Sequence, residues 1–370
     1  MPILDNYNII KLLGEGYSGK VYLIVNTNTN KKYALKRQKV YPDDWIKKLN
    51  NPIWYELNLF KFIKSLDKSD KNFFMKKYQH KFDNNCSSFV WTKPDYMPET
   101  KITKILEASK SCLDIVSDLK DGDSLYLIKH NLINKVLYSF IIQFLYCLYI
   151  LHNNDYYHYD NNSGNICFVK NKKKYIIMKQ LNIKIKSKYQ FSLIDYESTL
   201  HKSYELSNRD SIIYQDNIKY NMDLSIFIQK VLLKLDDNIL DTKNMFGVNS
   251  FKSFNLVARY IYNNNKKLYN IIKSKIIDIY GHNIMSKLKQ FEYGHIDNNN
   301  ISRVFKIENE ISQFVAILDK KLFCQILGIN YFDNLINSDD LLYMKYHYTD
   351  LRDIITYIIN THKVKHIVLD

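Results

Sequence analysis

Apolar and polar positions alternate over residues 7–13 and again over 20–25, which predicts two strands around an intervening turn. Residues 31–37 continue that pattern as a third strand. Over 43–66 the period lengthens: Trp45, Leu49, Trp54, Leu57, Phe60 and Ile63 recur at helical spacing. The pattern weakens from 72 to 128. Two strands are predicted there, near 73–81 and 113–117, flanking an irregular stretch that holds Pro94 and Pro98. Beyond 128 the chain is mostly helical, interrupted by short strands at 166–169, 176–185 and 191–194. Helices are predicted at 256–279, 301–323 and 341–359. Asn/Lys-rich patches at 26–32, 263–267 and 298–300 predict solvated turns. A strand-rich first third and a helix-rich remainder give an α+β chain of two lobes, with the boundary near 118–123. A length of 370 residues suits two lobes better than one core.

The run at 136–151, VLYSFIIQFLYCLYIL, contains Ser139 and Gln143. It falls short of the roughly 20 apolar residues that cross a bilayer, so a buried helix is expected. The first ten residues lack the basic and apolar regions of a signal peptide. Five cysteines lie far apart without a CxxC pair, which leads to an expectation of reduced thiols in an intracellular compartment.

Net charge is +15, yet five of the 53 basic residues are Arg, and Asn, Ile, Lys and Tyr abound. These are residues of A/T-rich codons, so mutational bias accounts for much of the lysine. A basic surface still attracts acidic or phosphate-bearing partners. Scarce Arg argues against sequence-specific DNA binding, which commonly uses its bidentate fork.

Chemistry enters at G14-E15-G16-Y17-S18-G19-K20-V21. Three of the nine glycines of the chain fall within six positions. A glycine turn between strands can close over phosphates, because no Cβ keeps the backbone away. Fifteen residues after Val21, Y33-A34-L35-K36 brings a lysine back beneath that turn. Twenty residues further, Glu56 on the predicted helix can hold Lys36 as an ion pair. His158, Asp160 and Asn165 have the spacing H-x-D-x-x-x-x-N. Asp160 can take the proton of an attacking hydroxyl, and Asn165 can hold Mg2+. Asp195, at the end of the apolar strand in S192-L193-I194-D195-Y196-E197, can supply a second oxygen ligand.

The order GxGxxGxV, AxK, helical Glu, HxDxxxxN and D-x-x resembles the protein-kinase superfamily over about residues 7–235. The D-x-x-x-G-N and I-D-Y patterns resemble its haspin-like group and the kinases of large DNA viruses. The resemblance implies a protein-kinase-like bilobal fold: an N-lobe over 1–118 with an insertion near 67–111, a C-lobe core over 119–235, and a helical remainder with extension over 236–370. It implies ATP and Mg2+ as cofactors, with Leu13, Gly14, Glu15, Gly16, Tyr17, Ser18, Gly19, Lys20, Val21 and Ala34 lining the nucleotide site. Lys36 and Glu56 complete that site, and Asp118 marks a hinge that reads adenine. Catalysis falls to Asp160, Lys36 and Asn165, metal binding to Asn165 and Asp195. Asp223 resembles the aspartate that hydrogen-bonds the catalytic-loop backbone. The implied activity is phosphoryl transfer to Ser/Thr of protein substrates. A viral origin would place the chain in a virion or host cytoplasm.

The sequence departs from that pattern in places. Tyr159 replaces the arginine that pairs with an activation-loop phosphate, so activity without such a phosphate is expected. Asp195-Tyr196-Glu197 lacks the glycine of D-F-G, which predicts a fixed segment. Asn162 stands where Ser/Thr kinases commonly have lysine. No A-P-E follows, so the substrate floor is remodelled. L-I-D-Y-E also resembles choline-kinase and aminoglycoside-phosphotransferase sites, which makes a small-molecule kinase the alternative. A pseudokinase scaffold is a lesser one. Residues 170–190 carry eight lysines and no acid, an extended basic hairpin. It is either a solvated product of codon bias or a docking site for an acidic or phosphorylated partner.

Overall fold

The structure, a computed structural model, describes residues 6–16, 19–40, 52–84, 111–130, 132–206, 351–361 and 364–369, with 211, 214, 223–224, 226–227 and 231. It is a mixed α+β protein. Strands β1 (Tyr7–Glu15), β2 (Gly19–Asn26), β3 (Lys32–Lys39), β4 (Lys77–Asp83) and β5 (Cys112–Asp118) form one antiparallel sheet in the order β1-β2-β3-β5-β4. The turn between β2 and β3 is fixed by Asn26, whose Oδ1 accepts from Asn28 N, Thr29 N and Thr29 Oγ1. Asn30 there is left-handed, at φ 57°.

Register decides which side chains reach the site. Lys36 pairs with Val21 on one side and Ile115 on the other, so these three share a face. Arg37, one residue on, takes the opposite face and binds Asp114 through Nε and Nη2, at 2.7 Å each. Edge strand β1 departs from simple alternation, with Ile9, Ile10, Leu12 and Leu13 all exposed.

Helix α1 (Pro52–Ser65) lies on the Lys36 side. Proline suits a first helical position, where its missing N–H has no partner to lose. Leu57, Leu59, Phe60 and Ile63 join Leu113 and Ile115 of the sheet in the main core. The predicted helix began at 43; residues 43–51 lie outside the described ones. The strand predicted at 73–81 is β4, displaced toward its C-terminal end, with a 3-10 turn at Asp70–Phe73 before it.

After β5 come β6 (Gly122–Asp123), α2 (Ser124–Lys129) and α3 (Leu137–His152). Asp123 caps α2 by accepting from Tyr126 N. Helix α3 is the run that the sequence flagged for its hydrophobicity, and it is buried over almost its whole length. Its Gln143 serves the neighbouring strand: Oε1 accepts from Phe191 N, and Nε2 donates to Tyr189 O. Among the described residues no helix is long and apolar enough to cross a membrane.

Then follow β7 (Tyr156–Tyr157), β8 (Ile166–Lys170), β9 (Tyr175–Met178), β10 (Ile183–Lys186), β11 (Tyr189–Leu193) and β12 (Leu200–His201). Residues 176–185 are thus two strands and not one, broken where Asn182 turns left-handed at φ 53°. Near the C-terminus α4 (Leu351–Thr361) buries Leu351, Ile354, Ile355, Ile358 and Ile359, the repeat of an amphipathic helix, and packs on α3. The predicted helix began at 341; residues 341–350 lie outside the described ones. Strand β13 (His366–Val368) then pairs with β10, so the last third is not wholly helical. The helices predicted at 256–279 and 301–323 lie outside the described residues.

Cys147 and Cys167 are free thiols, but Cys112 is disulfide-bonded. The expectation of reduced thiols throughout fails at that position. It rested on spacing along the chain, which does not decide which cysteines come within bonding distance.

Candidate active site

Three stretches distant in the chain meet at Lys36. Its ammonium lies 3.2 Å from Glu56 Oε2 on α1, 2.8 Å from Asp195 Oδ1 and 2.6 Å from Glu197 Oε1 beyond β11. Glu56 is fully buried, while the Asp195 side chain is 40% exposed. Burial would lower the Lys36 pKa, but Asp195, Glu197 and Glu56 hold it well above the ordinary range. Burial would raise Asp195, yet the Lys36 ammonium leaves it below the usual carboxylate range. Glu56 differs: burial pushes it up to about 7 against the pull of Lys36, with Glu197 and Asp195 adding to the rise.

That imbalance has a consequence for stability. A carboxyl with a raised folded pKa takes up protons on folding. Its contribution is complete below the ordinary 4.5 and is lost as pH rises through about 7. Melting temperature is expected to fall across that window. Glu56→Gln is expected to flatten this part of the fall, as thermal unfolding at a series of pH values will show.

Asp160 and Asn165 form the second half of the site. Asn165 Nδ2 donates to Asp160 Oδ2 at 2.7 Å and to Asp160 O at 2.9 Å. With the amide nitrogen so used, Asn165 Oδ1 is the atom that can face a cation. Asn162 closes the turn: its Oδ1 accepts from Gly164 N and Asn165 N, and its Nδ2 donates to Asp160 Oδ1 at 3.1 Å. Both carboxylate oxygens of Asp160 are thereby oriented. The two halves are joined where Ile194 N donates to Asn165 O at 2.9 Å, next to Asp195.

The loop that carries Asp160 is strained and held. Tyr159 and Asp195 are left-handed at φ 61° and 59°, an uncommon conformation for such side chains. Asp223, fully buried, accepts from His158 N at 2.8 Å, Tyr159 N at 2.6 Å and Asn161 Nδ2 at 3.0 Å, and binds His152 Nε2 at 3.0 Å. Burial would raise its pKa, but His152 and these donors leave it lowered. His158 Nδ1 accepts from Asp160 N while Nε2 faces Ile194 O, which assigns the proton to Nε2. His158 therefore braces the loop, with both ring nitrogens occupied. Tyr196, fully buried, donates to Leu193 O and accepts from Met75 N.

The glycines divide into two kinds. A Cβ on Gly19 would sit 2.1 Å from Arg37 O, so the close approach of β2 to β3 requires glycine. A Cβ on Gly14 or Gly16 would meet no atom within 4 Å. Gly19→Ala is expected to cost about 1–3 kcal/mol in urea unfolding, in the range of overpacked sites. Gly14→Ala and Gly16→Ala are expected to unfold like the parent.

Leu13, Glu15 and Lys20 lie beside this turn, where Lys20 pairs with Glu15 at 3.3 Å. Tyr17 and Ser18 lie outside the described residues. Ala34 shares the Lys36 face. At Asp118 the N–H donates to Lys76 O, and the carboxylate takes Lys76 N and Lys120 Nζ. Sequence reasoning gave no role to Glu197 or Asn162. For Glu197 the available signal was its place two residues after Asp195.

The donors here are hard oxygens: the Asn165 amide, Asp195 and Glu197. Among the described residues no three His, Cys, Asp or Glu groups form a ready metal cage. Such a set suits Mg2+, which keeps water and phosphate in much of its shell. No family model matches the chain, and a comparison with curated proteins found no match.

Proposed function

We propose that the chain is an ATP- and Mg2+-dependent phosphotransferase of protein-kinase type, acting on Ser/Thr hydroxyls of proteins. The two lobes would be the five-stranded sheet with α1 and the α3-centred remainder, with the nucleotide between them. The observation that carries this reading is the meeting of Lys36 with Glu56 and Asp195 beside the hydrogen-bonded Asp160–Asn165 pair. Five polar groups drawn from four separate stretches would otherwise have no reason to converge.

Under this reading the Gly14–Val21 turn covers the phosphates, with Gly14 and Gly16 open because nothing of the protein needs their space. Lys36 contacts phosphate oxygens and is kept in place by Glu56. Asn165 and Asp195 hold Mg2+, which neutralises the charge that develops on the phosphates. Asp160, fixed by Asn162 and Asn165, orients the acceptor hydroxyl and takes its proton. Catalysis of this sort consists mainly of positioning and charge neutralisation.

A small-molecule kinase is the second reading. It is favoured by Glu197, which joins Lys36 and so gives the D-x-E segment a chemical part. Incubation with radiolabelled ATP, a protein mixture and a panel of amino alcohols and aminoglycosides separates the two. Label is expected in protein Ser/Thr; label confined to a small alcohol would overturn the protein-kinase reading.

The basic hairpin fits the role of a substrate dock. Lys174 and Lys184 bracket Tyr175, at 5.6 and 5.7 Å from its ring, on the face that also exposes Ile177 and Ile367. Lys184→Glu with Lys186→Glu is expected to raise KM severalfold for acidic protein substrates and to leave KM for ATP unchanged. Equal kinetics would remove the dock.

A further inference from the structure

Helix α1 carries Glu56, so whatever fixes α1 fixes the ion pair with Lys36. The two sides of that helix are anchored in different places. Ile53, Leu57, Leu59, Phe60 and Ile63 belong to the main core. Tyr55, the neighbour of Glu56, does not. It belongs to a separate cluster with Tyr157, Leu200, Tyr204 and Tyr214. Tyr55 and Tyr204 are stacked face to face, with centroids 4.6 Å apart and planes 4° from parallel, and both rings are buried. Tyr204 lies nine residues beyond Asp195, in the segment that follows the candidate metal ligand.

That segment is itself tied to the catalytic loop. Leu200 and His201 pair with Tyr157 and Tyr156, immediately before His158. Tyr157 meets Tyr214 edge-on at 5.3 Å, and Phe62 of α1 packs on Tyr156 at 4.8 Å. Phe60 meets Tyr196 edge-on at 5.2 Å. Aromatic contacts thus run from α1 to Tyr196, to the strand before the catalytic loop and to the segment after Asp195. Tyr159, in place of an arginine, offers no cation to a phosphate in that segment.

We infer that the Tyr55–Tyr204 stack is a built-in clamp that keeps Glu56 on Lys36 and does the work of an activating phosphorylation. Tyr204 is then a positioning residue that acts through α1. The inference rests on the phosphotransferase reading. Unphosphorylated protein, verified by intact mass, would already hold α1 in the competent place. Aromatic stacking survives loss of the hydroxyl, whereas an aliphatic side chain cannot reproduce parallel ring contact.

The test compares Tyr204→Phe and Tyr204→Leu in the full chain, each with Glu56 or with Glu56→Gln. Two quantities are read: kcat/KM for ATP, and hydrogen exchange of residues 53–60. Phe at 204 is expected to stay within about twofold of the parent. Leu is expected to lower kcat/KM about tenfold, to speed exchange over 53–60, and to leave exchange in α3 unchanged. With Glu56→Gln, Leu is expected to cost nothing further, because both changes break one linkage. A structural defect unrelated to Glu56 would give additive losses, and additive losses overturn the clamp. So does unchanged exchange over 53–60 in Tyr204→Leu. A parent protein that transfers no phosphate refutes the phosphotransferase reading instead, and the exchange arm still decides the clamp.

Discussion

Asp195→Ala is expected to abolish phosphoryl transfer while the protein unfolds with a midpoint close to that of the parent. The residue closes no core: its side chain is 40% exposed and its chief contact is Lys36. Lys36 keeps Glu56 and Glu197 after the change, so the fold loses little. The chemistry loses a candidate Mg2+ ligand and one counter-charge of Lys36, the lysine proposed to contact phosphate. Asp160→Ala is the companion variant. It is expected to lower kcat by about 10²–10⁴, the usual worth of a positioned general base, and to leave ATP affinity within a few fold. The two variants therefore separate nucleotide binding from proton transfer. Single-turnover transfer together with ATP titration reads both, and normal turnover in either variant would count against the assignment.

Asp223→Ala is expected to do the reverse, with damage first to stability. The carboxylate is fully buried and takes the N–H groups of His158 and Tyr159, the Asn161 amide and His152. Removing it leaves those buried donors without their acceptor. Breaking a buried charged network in this way costs about 3–5 kcal/mol, a large share of the roughly 5–15 kcal/mol that holds a domain together. Urea unfolding of the variant is expected to show a midpoint far below that of the parent. Asp223→Asn keeps the shape but points N–H groups at N–H groups, so a smaller loss is expected. If Asp223→Ala unfolded like the parent, the left-handed Tyr159 would need another support.

What the sequence disclosed follows the distance over which each contact is encoded. Lys36 and Glu56 were legible because a period of two and a period near 3.6 each place a side chain on a known face. Asp160 and Asn165 were legible because one short turn holds both. Asp223 was legible by its motif, though not the number of donors it gathers. The strand at 366–368 went unread because three residues after a helix show no alternation. Residues 176–185 read as one strand because apolar side chains flank Asn182 closely, although asparagine was the one residue there suited to a left-handed turn. The Tyr55–Tyr204 stack was invisible among 31 tyrosines, since nothing local marks which two will meet. The engagement of Asp118 with Lys76 and Lys120 is likewise tertiary.

The central claim is that Lys36, Asn165 and Asp195 together hold ATP through a divalent cation. Calorimetric titration of ATP into the parent and into Asp195→Ala, each with and without Mg2+, tests it most directly. The parent is expected to bind ATP at least tenfold more tightly with Mg2+ than without, and Asp195→Ala is expected to lose that difference. ATP binding that is absent from the parent, or indifferent to Mg2+ in both proteins, would contradict the account.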